Sequence, residues 1–314
     1  MIHELFIRTL LLSLLSVFVI KTINTHFGII GIDINKKSKP AVPESGGIAL
    51  LIPIWAGILS LNMIYFNPDF FKLGFLITLF AFVGYVDDLT KKKKFLSQSL
   101  SWKVRAVPIL MIAGIFSWLS FAGIEIILIM AFVICLASLE NTFAGLNGYE
   151  VGSGLIISLF TAFLMIHTLL FPLNFVVSAS ILGLFLFNHY PARVFPGDSG
   201  TLLIGSAIAG LAALTHDFRL IATILLFFIP HMIDLGIKFY SERQDMSEQK
   251  IKPYKILEDG RLAIPDYEGK PRLNLPKFLL QFIGPKKEWQ LSITMWLIVA
   301  ANCSIVLFLM GWLK

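Results

Sequence analysis

Asp87 and Asp88 stand at the end of an apolar run, in the sequence GYVDDL of residues 84–89. Two carboxylates at the edge of an apolar segment can coordinate a divalent cation, or one of them can act as a general base. A lysine run at 91–94 and Lys103 follow, and such cations can balance the charge of a phosphate group. Membrane orientation alone also explains the lysine run, with two solvated aspartates beside it. The segment therefore predicts either a phosphate-handling site or an orientation signal.

A glycine-rich segment at residues 138–154, SLENTFAGLNGYEVGSG, carries Asn141 and Asn147. Glycines leave backbone amides accessible to a ligand, and an Asn amide offers both a donor and an acceptor. Uracil has a donor between two acceptors on one edge, so an Asn in such a segment can read it. An ordinary glycine-rich turn between helices is the alternative.

Two more segments place a single carboxylate beside glycines. Asp198 lies in a Gly-Asp-Ser-Gly turn just before an apolar run, and Glu44 lies in PESGG at residues 43–47. An Asp together with substrate phosphates is a common way of holding Mg²⁺. Helix capping by Asp198, and a favourable interaction of Glu44 with a helix dipole, are the non-catalytic alternatives.

These polar segments separate apolar runs that are long enough to cross a bilayer, which takes about 20 residues each. Of the 314 residues, 56% are hydrophobic and 15% charged, against roughly 25% charged in soluble domains. The sequence predicts an all-α, polytopic integral membrane protein with one catalytic domain over 1–314 and a long loop at 240–288. About ten transmembrane helices are expected, at 4–22, 47–66, 70–86, 105–120, 122–138, 154–171, 175–190, 200–215, 219–239 and 290–312.

Positive charge divides the connecting segments into two groups. Lys and Arg concentrate on the cytoplasmic side of membrane proteins. With residue 1 outside, all but four of the 26 Lys and Arg residues fall in inner segments, the exceptions being Arg8, Lys72, Arg219 and Lys314. Both termini are therefore expected outside, and the polar loops face the cytoplasm (across the plasma membrane in a prokaryote). The net charge of +6 follows from this topology and favours anionic lipids, and it needs no nucleic-acid partner.

Four motifs together resemble the polyprenyl-phosphate N-acetylhexosamine-1-phosphate transferase superfamily, glycosyltransferase family 4. They are PESGG at 43–47, GYVDDL at 84–89, N-x-x-AGLNG-x-E at 141–150 and NHYPARVFPGDSG at 188–200, each on an expected inner loop. The resemblance is strongest to the eukaryotic and archaeal branch of dolichyl-phosphate GlcNAc-1-phosphate transferases. It covers roughly residues 35–240.

The resemblance implies roles for individual residues. It assigns catalysis to Asp88, Asp87, Lys103 and Asn141, substrate contacts to Glu44, Asn147, Phe195 and Lys94, and metal coordination to Asp198 with help from Asp87. Within this set Asp88 is expected to be the base or a positioning group near the lipid phosphate. The implied cofactor is Mg²⁺, with Mn²⁺ as a substitute.

Two departures from the bacterial branches point to the eukaryote-like branch. Ala144 and Asn147 replace the aspartates of the bacterial Asp-Gly-hydrophobic-Asp-Gly motif, and the last inner loop lacks a histidine cluster. The eukaryote-like branch usually carries an Arg-His-Arg-type motif in that loop. Here Arg261 and Arg272 are the candidates for that substrate contact.

The expected reaction transfers a sugar 1-phosphate from a UDP-sugar, expected to be UDP-GlcNAc, to a polyprenyl or dolichyl phosphate. Direct attack and an aspartyl-phosphate intermediate both remain open. A membrane transporter and a non-catalytic lipid-binding protein are the alternative functions. A homodimer is compatible with the sequence, which does not determine the oligomeric state.

Overall fold

A computed structural model of the chain describes residues 2–92, 102–244, 254–265 and 273–313. The described fold is helical, with two short antiparallel hairpins, and so confirms the all-α class. Its helices are α1 (Ile2–His26), a 3₁₀ helix (Gly46–Leu50), α2 (Leu51–Tyr65), α3 (Pro68–Lys92), α4 (Trp102–Ser120), α5 (Glu125–Thr142), α6 (Tyr149–Leu164), α7 (Phe171–Asn188), α8 (Gly197–Ala213), α9 (Phe218–Phe227), α10 (Ile229–Gln244), α11 (Leu275–Ile283) and α12 (Glu288–Leu309). Its strands are β1 (Ile30–Ile32) paired with β2 (Ala41–Pro43), and β3 (Lys255–Ile256) paired with β4 (Leu262–Ala263).

Six helices in the described ranges are long and apolar enough to cross a membrane, as in a multi-pass membrane protein. They are α1, α2, α3, α5, α7 and α12. The expected ninth span is broken, because α9 and α10 meet at a bend of 50°, and this pair brings the number to seven if it counts as one span. The apolar parts of α4 and α6 are shorter, and α8 has 17 residues. The number ten therefore remains a prediction.

Helix α8 lies at the centre of the fold, and every residue from 199 to 213 is buried. Its sequence is rich in Gly, Ala and Ser, which let neighbouring helix backbones approach closely. A Cβ on Gly84 of α3 would lie 2.4 Å from the carbonyl carbon of Asp198, and one on Gly205 would lie 2.6 Å from the Cα of Ala137 in α5. Helices α3 and α5 therefore pack on α8 at the distance that glycine permits.

The first polar loop is fixed to the loop before α8 by backbone hydrogen bonds. Phe195 N donates to the Pro43 carbonyl at 2.8 Å, and Gly46 N donates back to the Phe195 carbonyl at 2.9 Å. Gly47 N donates to the Pro196 carbonyl, also at 2.9 Å. A Cβ on Gly47 would lie 1.9 Å from the Cα of Gly200. Two motifs separated by about 150 residues in the sequence thus form one rigid unit.

The described part of the long loop contains the β3–β4 hairpin and α11 rather than a single helix, as its Pro and Gly content predicts. The side chain of Asn274 caps α11 by accepting from Lys277 N at 3.0 Å. Leu275 and Leu280 face the protein, whereas Phe282 is exposed. Burial, with a smaller contribution from the charge of Lys238, lowers the pKa of Lys277 to about 8.

The contact between α3 and α8 can be tested with Gly84→Ala. The added methyl group meets backbone atoms of α8, so the two helices must separate, and we expect a stability loss of about 1–3 kcal/mol. Thermal unfolding in detergent measures this loss. Gly114→Ala in α4 is the matched control, because its Cβ would meet only the Met130 sulfur at 3.6 Å and alanine favours a helix interior. Equal destabilisation by both substitutions would contradict the close contact.

Candidate active site

A cleft of about 260 Å³ lies where the polar loops meet the start of α8. It brings together five of the residues predicted from the sequence, although they come from three separate loops. They are Glu44, Asn141, Asn147, Phe195 and Asp198. Loop 32–35 forms another wall, and Asn35 Nδ2 donates to the Gly145 carbonyl at 2.8 Å across the cleft mouth.

Asp88 holds the first turn of α8 through its carboxylate. Oδ1 accepts from the backbone N of Asp198 at 3.0 Å, and Oδ2 accepts from the backbone N of Ser199 at 3.3 Å. Helix N-termini carry unpaired N–H groups and a positive dipole end, so a buried carboxylate is favourable there. Asp88 therefore fills the capping role that the sequence offered to Asp198 as an alternative. The carboxylate of Asp198 instead contacts Arg105.

Arg105, at the start of α4, connects the other two aspartates. Its Nη1 lies 2.8 Å from Asp87 Oδ2 and 3.0 Å from Asp198 Oδ2. The two carboxylate oxygens therefore lie within about 6 Å of each other. Asp198 is 19% exposed and lines the cleft, whereas Asp87 is buried at 1% exposure. A shared cation offsets the repulsion between two carboxylates in a partly desolvated site.

Asn141 is oriented by a side chain from α8. Thr201 Oγ1 donates to Asn141 Oδ1 at 2.7 Å, and both residues line the cleft beside Asp198. Because a hydroxyl occupies the carbonyl oxygen, the Nδ2 donors of Asn141 remain to face an anion. The end of the cleft near Asp198 thus combines carboxylates, a guanidinium group and an amide donor.

Asn147 lies in a different polar network. Its Nδ2 donates to Asp33 Oδ2 at 3.0 Å, and its backbone N donates to Glu288 Oε1 at 2.8 Å. Lys36 contacts Asp33 and lies 3.4 Å from Glu288 Oε2. Glu44 and Phe195 line the same cleft. The cleft therefore has a second polar end, built from the first loop, the third loop and α12.

Some predicted residues lie elsewhere. Arg261 is exposed at the β3–β4 hairpin, where its Nε contacts Asp259 Oδ2 at 2.5 Å, and it is not among the residues that line the cleft. Lys103 lies in the first turn of α4, two residues before Arg105. Lys94 and Arg272 lie outside the described residues. Roles for these four residues remain predictions.

Sequence reasoning missed five residues that shape the cleft: Arg105, Thr201, Asp33, Lys36 and Glu288. Arg105 follows the predicted Lys103 by one helical half-turn, so the lysine-rich context hid it. Thr201 directly follows the Gly-Asp-Ser-Gly motif as the fifth residue of α8, and its hydroxyl donates to Asn141. Asp33 is an acidic residue in a loop rich in lysine, and this difference in charge could have marked it as a candidate site residue.

Asp87 and Asp198 fit a hard divalent cation. Both present carboxylate oxygens to one point, where the Arg105 guanidinium now supplies the positive charge. Across the described ranges no three His, Cys, Asp or Glu side chains form a cluster able to enclose a metal. A cation held by one or two carboxylates and completed by substrate phosphates matches this donor set, and Mg²⁺ is commonly bound in that way.

Sequence comparisons relate this arrangement to known transferases. The sequence pattern of glycosyl transferase family 4 matches residues 70–216. A protein of Methanocaldococcus jannaschii, provisionally named a glycosyltransferase, is 36% identical over 287 residues, which cover 88% of this chain and 86% of that protein. The chain belongs to glycosyl transferase family 4. This confirms the family that the four motifs predicted.

Other relatives of this family 4 chain carry more specific names. A protein of Saccharolobus solfataricus, provisionally named a UDP-N-acetylglucosamine–dolichyl-phosphate N-acetylglucosaminephosphotransferase, is 27% identical over 314 residues, covering 92% of this chain and 93% of that protein. The phospho-N-acetylmuramoyl-pentapeptide-transferase of Shouchella clausii is 29% identical over 207 residues, covering 57% of this chain and 62% of the other. The transporter and the non-catalytic lipid-binding protein are therefore set aside, because these relatives are transferases.

Because Arg105 bridges Asp87 and Asp198, we expect its removal to change how strongly divalent cations stabilise the protein. In Arg105→Met the two carboxylates lose the cation that they share, and because Arg105 is partly exposed we expect a stability loss of about 1–3 kcal/mol without Mg²⁺. Added Mg²⁺ should raise the unfolding temperature of this variant more than that of the unsubstituted protein. Arg8→Met, which removes an exposed pair with Glu4, is the matched control and should not change the response. An unchanged Mg²⁺ response in Arg105→Met would argue against a cation site between the aspartates.

Proposed function

We propose that this family 4 chain transfers N-acetylglucosamine 1-phosphate, or a related hexosamine 1-phosphate, from a UDP-sugar to a polyprenyl or dolichyl phosphate. The products are UMP and a polyprenyl-diphosphate sugar. The observation that carries the proposal is the convergence of Asp87, Asp198 and Arg105 at one end of a cleft whose other end holds Asn147. The names of the archaeal and bacterial relatives support the choice of substrates.

The proposed reaction makes and breaks one phosphorus–oxygen bond. An oxygen of the lipid phosphate forms a bond to the phosphorus that carries the sugar. The bond from that phosphorus to the bridging oxygen breaks, and UMP leaves with the electron pair. Arg105 and the Nδ2 donors of Asn141 would bind the diphosphate oxygens and stabilise the charge that develops there. Holding both substrates in one cleft supplies orientation.

Asp88 fits the positioning role better than that of a base. Both of its carboxylate oxygens accept backbone N–H groups of α8, so it acts by fixing the position of Asp198. Asp198 and Asp87 would hold Mg²⁺, or Mn²⁺, which when bound supplies charge neutralisation for the leaving UMP. Glu44, Asn147 and Phe195 would contact the uridine end, as the family motifs imply.

The proposed orientation places this cleft at the cytoplasmic side of the membrane, with both termini outside and about ten spans. Support comes from the distribution of Lys and Arg and from the gathering of the polar loops at one cleft. A soluble nucleotide sugar would then reach the cleft from the cytoplasm. The lipid phosphate would arrive from the adjacent membrane.

The decisive experiment incubates the purified protein with UDP-GlcNAc, polyprenyl phosphate and Mg²⁺, and measures UMP together with the lipid product. We expect both products in equal amounts and only when the lipid is present. Hydrolysis without lipid, or no turnover with several UDP-hexosamines, would sink the proposal. UDP-glucose as a parallel donor tests whether the acetamido group is needed.

Asp198→Asn tests the metal-binding carboxylate. The substitution keeps the size of the side chain, and the α8 cap is provided by Asp88, so we expect near-normal thermal stability. Turnover should fall by about 10²-fold or more, because removing one charge-stabilising group commonly costs that much. Asp69→Asn, in an i,i+3 pair with Lys72 far from the cleft, is the control and should keep full activity. Full activity of Asp198→Asn at ordinary Mg²⁺ would rule out the ligand role.

Single cysteines test the orientation, in an active background with Cys135 and Cys303 replaced by alanine. Ser38 and Ala122 are both exposed and lie on opposite predicted sides. Ser38→Cys should react with a membrane-impermeant maleimide only in inside-out vesicles, and Ala122→Cys only in right-side-out vesicles. The reverse pattern would place the cleft outside.

A further inference from the structure

Asn147 is held in the cleft by three hydrogen bonds, through both its backbone and its side chain. Its backbone N donates to Glu288 Oε1 at 2.8 Å, and its backbone carbonyl accepts from Ser292 Oγ at 3.0 Å. Its side-chain Nδ2 donates to Asp33 Oδ2 at 3.0 Å. The residue is 4% exposed, so neither the backbone nor the side chain can rotate without breaking one of these bonds.

Asp33 dictates which way the amide of Asn147 points. An ionised carboxylate has only acceptor oxygens, and an Asn amide has a donor side and an acceptor side. The ammonium group of Lys36 contacts the same carboxylate, and the backbone N of Asn35 donates to its other oxygen at 3.2 Å. Nδ2 must therefore face Asp33, because the flipped amide would place two oxygens against each other.

This arrangement leaves one group of Asn147 for a ligand. The hydrogen bonds that described residues make with Asn147 use its backbone and Nδ2, so Oδ1 is the group offered to the cleft that the residue lines. A fixed acceptor suits a base whose facing edge carries a donor. Uracil has N3–H at the centre of that edge, whereas N3 of cytosine is an acceptor.

We propose that Asp33 is a specificity-determining positioning residue, which orients the Asn147 amide so that its oxygen selects a uracil base over cytosine. The inference rests on the proposed transfer from a UDP-sugar and adds the element that discriminates between pyrimidines. Asp33 itself does not touch the base, and it acts through the hydrogen bond to Asn147.

Lys36 and Glu288 belong to the same network of polar contacts around Asn147. Lys36 lies between the carboxylates of Asp33 and Glu288, each 3% exposed, and balances part of their charge. Glu288 holds the backbone of Asn147 while Asp33 holds its side chain. Glu288 therefore fixes the position of the Asn147 backbone, and Asp33 fixes the direction of its side-chain amide. Substitution of Asp33 should change the direction of the amide more than the position of the residue.

The test measures binding of UDP and CDP to the full-length protein in detergent with Mg²⁺, by calorimetry. The unsubstituted protein should prefer UDP by about tenfold or more, because CDP would leave the Asn147 oxygen opposed to an acceptor on the base. Asp33→Asn can donate as well as accept, so it permits both amide directions, and we expect the preference to fall to within about threefold. Asp69→Asn is the matched control and should keep the original preference.

A double variant tests the same hydrogen bond with its polarity reversed. In Asp33→Asn with Asn147→Asp, the new amide donates to the new carboxylate, which still offers an oxygen to the base. This variant keeps the number of buried carboxylates, and it should regain the preference for UDP. It also provides the test if Asp33→Asn alone does not fold.

The outcomes separate this inference from the proposed function. An unsubstituted protein that produces UMP from UDP-GlcNAc and lipid, yet binds UDP and CDP equally, would overturn the inference and leave the transferase intact. Full preference for UDP in Asp33→Asn, or none in the folded double variant, would also overturn it. A preference that Asp33→Asn abolishes and the double variant restores supports the inference, even if the lipid acceptor is a different one.

Discussion

The close contact of three backbone segments at the start of α8 is the constraint on which the site depends. Gly47, Gly84 and Gly200 let the 3₁₀ helix, α3 and α8 approach to distances that no side chain allows. Asp88 then joins α3 to the unpaired amides of α8. A catalytic carboxylate on a helix N-terminus is useful only when that terminus is fixed. The glycines allow the 3₁₀ helix, α3 and α8 to lie close together, and Asp88 fixes the orientation of the first turn of α8.

The two ends of the cleft differ in their electrostatics. At one end Arg105 and two aspartates form a site of mixed charge suited to a cation and phosphates. At the other, buried carboxylates are directed at protein groups and leave an amide to face the ligand. In the proposed reaction the first end would stabilise the charge of the bond that breaks, and the amide of Asn147 at the second end would recognise the base. This division follows from the higher cost of burying an uncompensated charge than a paired amide.

The sequence predicts much of the fold and the members of the cleft, but not how they are paired. Apolar runs predict the long helices, whereas α11 lies in the segment expected to be a loop. The motifs around Asp88, Asn147 and Asp198 converge, and each combines glycine with a polar side chain beside an apolar run. Pro230, the second residue of α10, lies at the break between α9 and α10, where proline is tolerated because the first turn of a helix does not need its backbone N–H. The expected span at 219–239 ran through this signal. Arg105 was hidden because Lys103 offers the same charge two residues earlier, and only the helix phase distinguishes them.

The contacts of Glu288 also affect the order in which the two ends of the cleft can assemble while the chain is being synthesised. Glu288 begins the last helix, and it contacts Lys36 and Asn147, which precede it by 252 and 141 residues. The aspartates and Arg105 are all synthesised by residue 198, so the phosphate end can assemble while the ribosome is still translating. The recognition end waits for α12 to insert. A chain stopped before residue 288 would therefore have the groups for chemistry without the complete clamp on Asn147.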